Sequence, residues 1–375
     1  MSRGILALLA LLAAVPGSAD QTQGGEEEPP EVLVEDPIGV PLRVRDFTFP
    51  SFLVLDFAPQ PAAPLGQGRF GVELITSRVN DFQVSATVQD YLRERGGGVR
   101  RPLTDADADF IVSLPEGQGY YIDGEFSFYE LGFWYGVTDR IDAGVGVRYI
   151  DFTGGRLDGT IFDFHDRFGF GQQGRELVSD DYFQIVIGES GTTLARLNGP
   201  PTGGPTDPSL YLRWALPGEP GGWRFNLGGG VKVPAASGFR SSGSADVGLN
   251  FAADRRWRRN ALILNVSVVD AGRFEITDFD PAAIKSLDVA WLHRSTIWPN
   301  TRFFLQALLA EHVLGDATAS RLSEPEFQVT AGLKWDTGLG VFGFGLTENL
   351  LNYQNTPDIG VHLSWGYLSG GEAAR

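Results

Sequence analysis

Residues 359–368 read Ile-Gly-Val-His-Leu-Ser-Trp-Gly-Tyr-Leu. Ile359, Val361, Leu363, Trp365 and Tyr367 share one phase, and Gly360, His362, Ser364 and Gly366 share the other. Successive side chains of a strand point to opposite faces, so this stretch has one greasy, aromatic face and one small, polar face. The pattern recurs upstream. Phe327, Val329, Ala331, Leu333 and Trp335 alternate with Gln328, Thr330, Gly332 and Lys334. Trp223, Phe225, Leu227, Val231 and Val233 alternate with Arg224, Asn226, Gly228 and Lys232. Ala245, Val247, Leu249 and Phe251 oppose Ser244, Asp246, Gly248 and Asn250, and Ile141, Ala143, Val145, Val147 and Tyr149 oppose Asp142, Gly144, Gly146 and Arg148. Strict alternation over about ten residues is the signature of a strand that crosses a membrane within a closed barrel. A soluble sandwich alternates too, with its apolar face inward, so the pattern alone leaves open which face is wet.

The connections decide between these. The alternation predicts strands near 68–80, 120–136, 140–151, 208–216, 222–234, 244–253, 260–270, 286–295, 301–313, 326–335, 341–350 and 358–368. Short links at 137–139, 217–221, 254–259, 296–300 and 336–340 alternate with mostly longer ones at 81–119, 152–207, 235–243, 271–285, 314–325 and 351–357. Outer-membrane barrels show this asymmetry, with short periplasmic turns and longer extracellular loops. An even strand number places both ends of the barrel in the periplasm. Trp134, Trp214, Trp223, Trp257, Trp291, Trp298, Trp335 and Trp365 all fall in or near the short-turn end, which reads as one aromatic girdle at a membrane interface. Arg255, Arg256, Arg258 and Arg259 flank Trp257 in one turn, either as a solvated turn or in contact with phospholipid head groups. The fold class expected is an all-β, up-and-down antiparallel transmembrane barrel of about twelve strands over 68–375.

Two strands are irregular. In 120–136, Phe126 and Phe128 take one phase and Leu131, Phe133 and Tyr135 the other; a bulge near Glu130 reconciles them, or the upper part stands above the membrane. In 341–350, Glu348 follows Phe342, Phe344 and Leu346 in phase and belongs near the rim or beyond a bulge.

The rest of the composition agrees. Arg3, the apolar run from Ile5 to Val15 and Gly17-Ser18-Ala19 form a secretory signal, 1–19, cleaved before Asp20. That run is too short to span a bilayer, which needs roughly 20 residues. Residues 20–40 are an acidic, Pro-rich linker containing Glu26-Glu27-Glu28-Pro29-Pro30. Residues 41–67 are apolar but punctuated by Pro50, Pro59, Pro61 and Pro64; they form either a plug near the periplasmic mouth or an extra strand. The chain has no cysteine, which excludes a disulfide, a thiolate metal site and a lipoprotein anchor. A net charge of -17 argues against nucleic acid as a partner. The partners expected are outer-membrane lipids and an unidentified small solute, with a monomeric barrel.

Asp163-Phe164-His165-Asp166-Arg167-Phe168-Gly169, followed by Gly171, Gly174 and Arg175, resembles an uncharacterised family of Gram-negative outer-membrane proteins classed as a domain of unknown function. So does Pro41-Leu42-Arg43-Val44-Arg45-Asp46 leading to Phe49-Pro50. The resemblance covers nearly all of the mature chain. It implies a barrel in the outer membrane and brings no established activity, substrate or catalytic residue. The final strand departs from the usual ending, since Leu368 is followed by Ser-Gly-Gly-Glu-Ala-Ala-Arg and not by a terminal aromatic.

No catalytic, cofactor or metal site is expected. Asp163, His165, Asp166 and Arg175 in loop 152–207 are the loop candidates for specificity; one histidine between aspartates more often makes turn hydrogen bonds than a metal or acid–base site. Asp181–Ile187 suits an extra strand in that loop. The four histidines, His165, His293, His312 and His362, lie in no serine-hydrolase motif, and Ser267 and His293 are on neighbouring strands with different faces. The candidate pore-lining residues are Glu73, Asp142, Arg148, Arg213, Arg224, Lys232, Asp246, Asp288, Arg294, Arg302, Gln306, Gln328, Lys334 and His362. Twelve strands lie between filled small barrels and open porins. Either the lumen is cross-braced by ion pairs, or inward glycines leave a narrow pathway for small or lipophilic solutes. The competing functions are a structural or ligand-binding barrel acting through its loops and, behind it, a lipid-modifying enzyme.

Overall fold

In a computed structural model, the structure describes residues 42–370 except 96–98, 170, 219–220, 275–279, 314–323 and 349–356. The expected signal segment 1–19 and expected linker 20–40 lie outside the described residues, as do most of loops 314–325 and 351–357. Fifteen strands form one antiparallel sheet: β1 (Phe70–Val84), β2 (Gly119–Gly136), β3 (Ile141–Thr153), β4 (Gln184–Glu189), β5 (Thr192–Asn198), β6 (Gly204–Pro205), β7 (Ser209–Ala215), β8 (Arg224–Lys232), β9 (Asp246–Trp257), β10 (Asn260–Asp270), β11 (Ile284–Arg294), β12 (Thr301–Ala310), β13 (Glu326–Thr337), β14 (Gly340–Glu348) and β15 (Ile359–Leu368). β1–β3 and β7–β15 each pair with their neighbours, β15 pairs with β1, and the circle closes at twelve strands. Closure leaves no free edge, which is what a sheet in lipid requires. The strands match those expected from the alternation, with ends moved by up to four residues. Among the described residues no helix is long and apolar enough to cross a membrane.

The faces sort as a membrane barrel demands. Leu249 is 64% exposed, Leu212 56% and Leu363 51%, and all three share the outward phase of their strands. On the inward phase, Asp246, His362 and Glu73 are buried. The oily side of the pleat is therefore the outside, the reverse of a soluble sandwich.

Two features differ from the sequence reading. β2 has no bulge: its register with β1 runs unbroken from Phe70↔Tyr135 to Val84↔Tyr121, and that with β3 is continuous. Phe126 and Phe128 simply point inward, where apolar partners await them. Trp134 likewise leaves the expected girdle. It is buried on the inward phase, with Arg213 4.4 Å and Arg43 5.1 Å from its ring centre. Of the other tryptophans, Trp214, Trp257 and Trp298 are exposed on or beside the short turns.

The long loops carry their own structure. Between β1 and β2 lie helices α1 (Ala86–Arg95) and α2 (Asp105–Ser113), the second opened by a capping box between Thr104 and Asp107. Their apolar sides, with Val88, Leu92 and Ile111, cover Phe82, Val84 and Tyr121 on the outer face of the upper wall. Between β3 and β7, helix α3 (Asp158–Phe168) is followed by the β4–β5 hairpin, which extends the sheet from the upper part of β2. The helices and hairpin form a cap at the long-loop end.

Candidate functional site

Residues 42–65 run inside the barrel and contain no strand. From Leu65 at the short-turn end the chain passes Asp254, Asn250 and Asp246 of β9. It turns at Thr48–Ser51, held by Glu326 and Asp81 near the long-loop end, and returns to Leu42 beside Gly345. A segment outside a sheet must find partners for its peptide groups elsewhere, because a buried unpaired N–H or C=O costs free energy comparable to a lost hydrogen bond. The wall supplies them from charged and amide side chains. Main-chain N–H groups of Phe49, Leu55, Ala62 and Leu65 donate to the carboxylates of Asp81 (3.0 Å), Asp246 (2.7 Å), Asp254 (2.7 Å) and Asp142 (3.1 Å). Its carbonyls accept in turn: Val44 from Gln306 (3.2 Å), Phe52 from Arg148 (2.9 Å), Leu53 from Lys232 (2.8 Å) and Pro61 from Asn226 (3.3 Å). Tyr211 donates to the Asp56 carbonyl at 3.0 Å.

Apolar packing adds to this. Phe47 lies 4.9 Å from Phe128 and stacks on His362 at 5.3 Å, and Phe52 meets Phe126 and Phe128 at 5.2 and 5.3 Å. Each phenylalanine buried in this way contributes roughly 1.5–3 kcal/mol. The inward glycines do not leave an open path along this side. A Cβ on Gly248 would come within 2.7 Å of the Phe57 ring, and one on Gly345 within 2.8 Å of Leu42 Cδ2. The glycines make room for the segment's side chains.

The expected pore-lining residues divide by partner. Asp142, Arg148, Lys232, Asp246 and Gln306 bond the segment's main chain directly. Glu73 accepts from Arg43 at 3.3 Å, Arg213 donates to Gln60 (3.2 Å) and Asp142 (2.7 Å), and Gln328 donates to Asp46 (3.2 Å). Asp288 is buried beside Gln306, and Lys334 is buried beside Gly343. His362 bonds the hydroxyls of Ser77 and Thr347, each at 2.8 Å, under the Phe47 ring. Arg224 and Arg302 pair within the wall, with Asp254 and Asp336, toward the short-turn end. Arg294 ends β11 opposite Arg302, and its side chain donates to the Pro299 carbonyl at 2.9 Å.

Several partners were missed by sequence reasoning. Asp254 falls in the short link expected at 254–259, although the phase of Asp246 and Asn250 continues to it. Glu130 bonds both Arg45 and Arg148 and is inward by the even phase of β2. Arg43, Arg45 and Asp46 carry no strand pattern, and nothing in their spacing marks where they dock. Between segment and wall remains a cavity of about 50 Å³, lined in part by Arg43, Arg45, Glu73, Glu130, Arg148 and Tyr211. Glu130 Oε1 and Arg43 Nε, on two of these residues, have no protein hydrogen-bond partner.

The loop candidates do not converge. Asp163 and Asp166 are exposed on α3, while His165 is buried with Nδ1 3.1 Å from the Gly171 carbonyl. Among the described residues no group of three acidic or histidine side chains suits a metal. Arg175 is the exception in importance. It is buried against Asp158 and Asp358, donates to Asn80 at 2.8 Å, and sits 4.5 Å over the Phe82 ring. It ties the cap to β1 and to the residue preceding β15. In α2, burial acts to raise the Asp107 carboxyl. Hydrogen bonds from the Thr104 main chain and hydroxyl and from Tyr91, with the Arg95 charge, outweigh it and hold the group at about 2.

A closed ring of twelve strands, oily outside and polar within, defines a transmembrane β-barrel. The chain belongs to the family described as Protein of unknown function (DUF3187), whose model matches residues 103–368. No curated protein matches it by sequence. Among solved structures it is similar to the COG4313 outer membrane channel from Pseudomonas putida F1, at 12% identity over 82% of this chain and 97% of that one, with a TM-score of 0.48. It is also similar to the toluene transporters TbuX of Ralstonia pickettii (9% identity, 82% and 91% covered, TM-score 0.37) and TodX of P. putida (9%, 80% and 88%, 0.31).

Proposed function

We propose that this chain is an outer-membrane channel for small solutes, closed in this structure by residues 42–65 acting as a plug, with its short turns in the periplasm. The observation that carries the reading is the way the segment is held. Inward charges of the wall bond its peptide groups, so the segment can be withdrawn without breaking any strand pairing. Withdrawal would expose carboxylates and guanidinium groups of both signs to water, giving a polar path of weak ion selectivity. The cavity of about 50 Å³ beside Arg45 and Glu130 lies against the segment and supports this reading. The surrounding partners are outer-membrane lipids, and a monomer suffices because the barrel closes on itself.

Planar-bilayer recording tests this. Full-length protein should conduct rarely or in small steps, and protein lacking residues 42–65 should give larger, stable openings with little cation or anion preference. Absence of conductance in a deletion protein that still shows heat-modifiable gel mobility would refute the channel. A loop-based binding role is the second reading, favoured by the cap's own apolar core. Under it, the segment deletion leaves conductance unaltered and removal of the cap abolishes partner binding.

A further inference from the structure

The hairpin between β9 and β10 carries four arginines around Trp257 at the short-turn end. Several wall arginines near that end meet acids: Arg213 with Asp142, Arg224 with Asp254, Arg302 with Asp336. Among the described residues neither Arg255 nor Arg258 meets a carboxylate, and both are exposed. Arg259 is exposed too and donates to the Ser295 carbonyl at 3.3 Å. Arg255 stands on the outward phase of β9, the column of Val247, Leu249 and Phe251, directly opposite Leu262 of β10. A guanidinium on a lipid-facing column, left without a protein anion in a chain of net charge -17, calls for an anion from outside. The neighbouring side chains belong to an interface: Trp257 is partly exposed beside the arginines, and Ile297 and Trp298 project from the adjacent β11–β12 turn at 79% and 59% exposure.

We propose that Arg255 and Arg258, with Trp257, form a site for the phosphodiester of an anionic glycerophospholipid, whose acyl chains lie along the apolar column above. Arginine's planar fork suits phosphate oxygens, and the indole suits the glycerol level of the bilayer. The inference rests on the membrane orientation proposed above only for which leaflet supplies the lipid. Binding in detergent is independent of it, so the two can fail separately.

Native mass spectrometry of the full chain in a neutral detergent, titrated with phosphatidylglycerol or phosphatidylcholine, tests the site. Phosphatidylglycerol should bind preferentially, and R255Q/R258Q should weaken it roughly ten-fold while phosphatidylcholine is unchanged. Soluble glycerol phosphate at matched concentration should not displace the lipid. R255K/R258K keeps the charge but loses the planar fork; it should bind phosphatidylglycerol more weakly than wild type, and undiminished binding by it counts against the site where the glutamine variant fails its heat-mobility check. Equal binding of the two lipids by wild type, undiminished phosphatidylglycerol binding by R255Q/R258Q, or displacement by glycerol phosphate would overturn the proposal.

Discussion

Two buried polar networks hold irregular chain in this molecule, and they work differently. In the lumen, wall side chains bond the main chain of residues 42–65: Asp246 takes the Leu55 N–H, Asp254 that of Ala62, and Lys232 gives to the Leu53 carbonyl. At the rim, Arg175 bonds side chains only, those of Asp158, Asp358 and Asn80. The lumen therefore reads the segment's main chain as well as side chains such as Arg43, Thr48 and Ser51. The rim clasp specifies both partners. The first arrangement suits a part that moves as a unit; the second suits one that stays.

The largest expected effect lies at the clasp. Arg175→Met leaves Asp158 and Asp358 buried without their cation, and breaking a buried pair in this way costs about 3–5 kcal/mol. Hydrogen exchange should rise sharply across 158–183 while the strands keep their protection. Equal loosening of the whole barrel would show that cap and wall are one unit.

Asp246→Asn comes next. It removes the charge-assisted bond to the Leu55 N–H and leaves Lys232, whose Nζ lies 2.8 Å from the carboxylate, with Asp207 at 3.8 Å as its remaining acid, at a cost of about 1.5–3 kcal/mol. Exchange at residues 53–57 and the frequency of channel openings should both increase. On the segment's side of the same contact, Leu55→Met should cost less than about 1.5 kcal/mol, because it preserves volume and the N–H that is recognised. A larger loss from the leucine change than from the aspartate change would break the comparison.

The smallest effect concerns the cap's acid stability. The Asp107 carboxyl is held at about 2, below its ordinary value of 3.8, so its contribution is fully present above pH 3.8 and is lost as pH falls through about 2. Exchange in α2 should rise in that window in wild type, and Asp107→Asn should flatten the rise.

Much of the wall was legible because one physical rule writes it. Alternation with a period of two, sustained between turns, marks each of the twelve strands, and the oily phase faces out in β9, β13 and β15 as expected. Chemistry inside the barrel was less legible, since alternation states that two faces differ without stating what fills the lumen. Phe126, Phe128 and Trp134 looked out of phase or interfacial only because the polypeptide inside was not visible. With Phe47, Phe52 and Arg43 as neighbours, an inward aromatic is the stable choice. Alternation assigns the inward charges to a face, but their bonds to peptide groups depend on how 42–65 folds back, which has no periodic signal. Arg175 stood in a recognisable motif, yet its partners Asp158, Asp358 and Asn80 come from three separate stretches that only the closed barrel brings together.

The central claim is that residues 42–65 occupy the lumen, and the chain's lack of cysteine makes it directly testable. Leu42→Cys with Gly345→Cys places two thiols where Leu42 Cδ2 lies 2.8 Å from a Cβ built on Gly345. Oxidation of the folded double variant in native membranes should give a cross-link that shifts gel mobility after boiling and is reversed by a reductant. Failure to cross-link, with both cysteines freely labelled by a membrane-impermeant maleimide in the folded protein, would contradict the account.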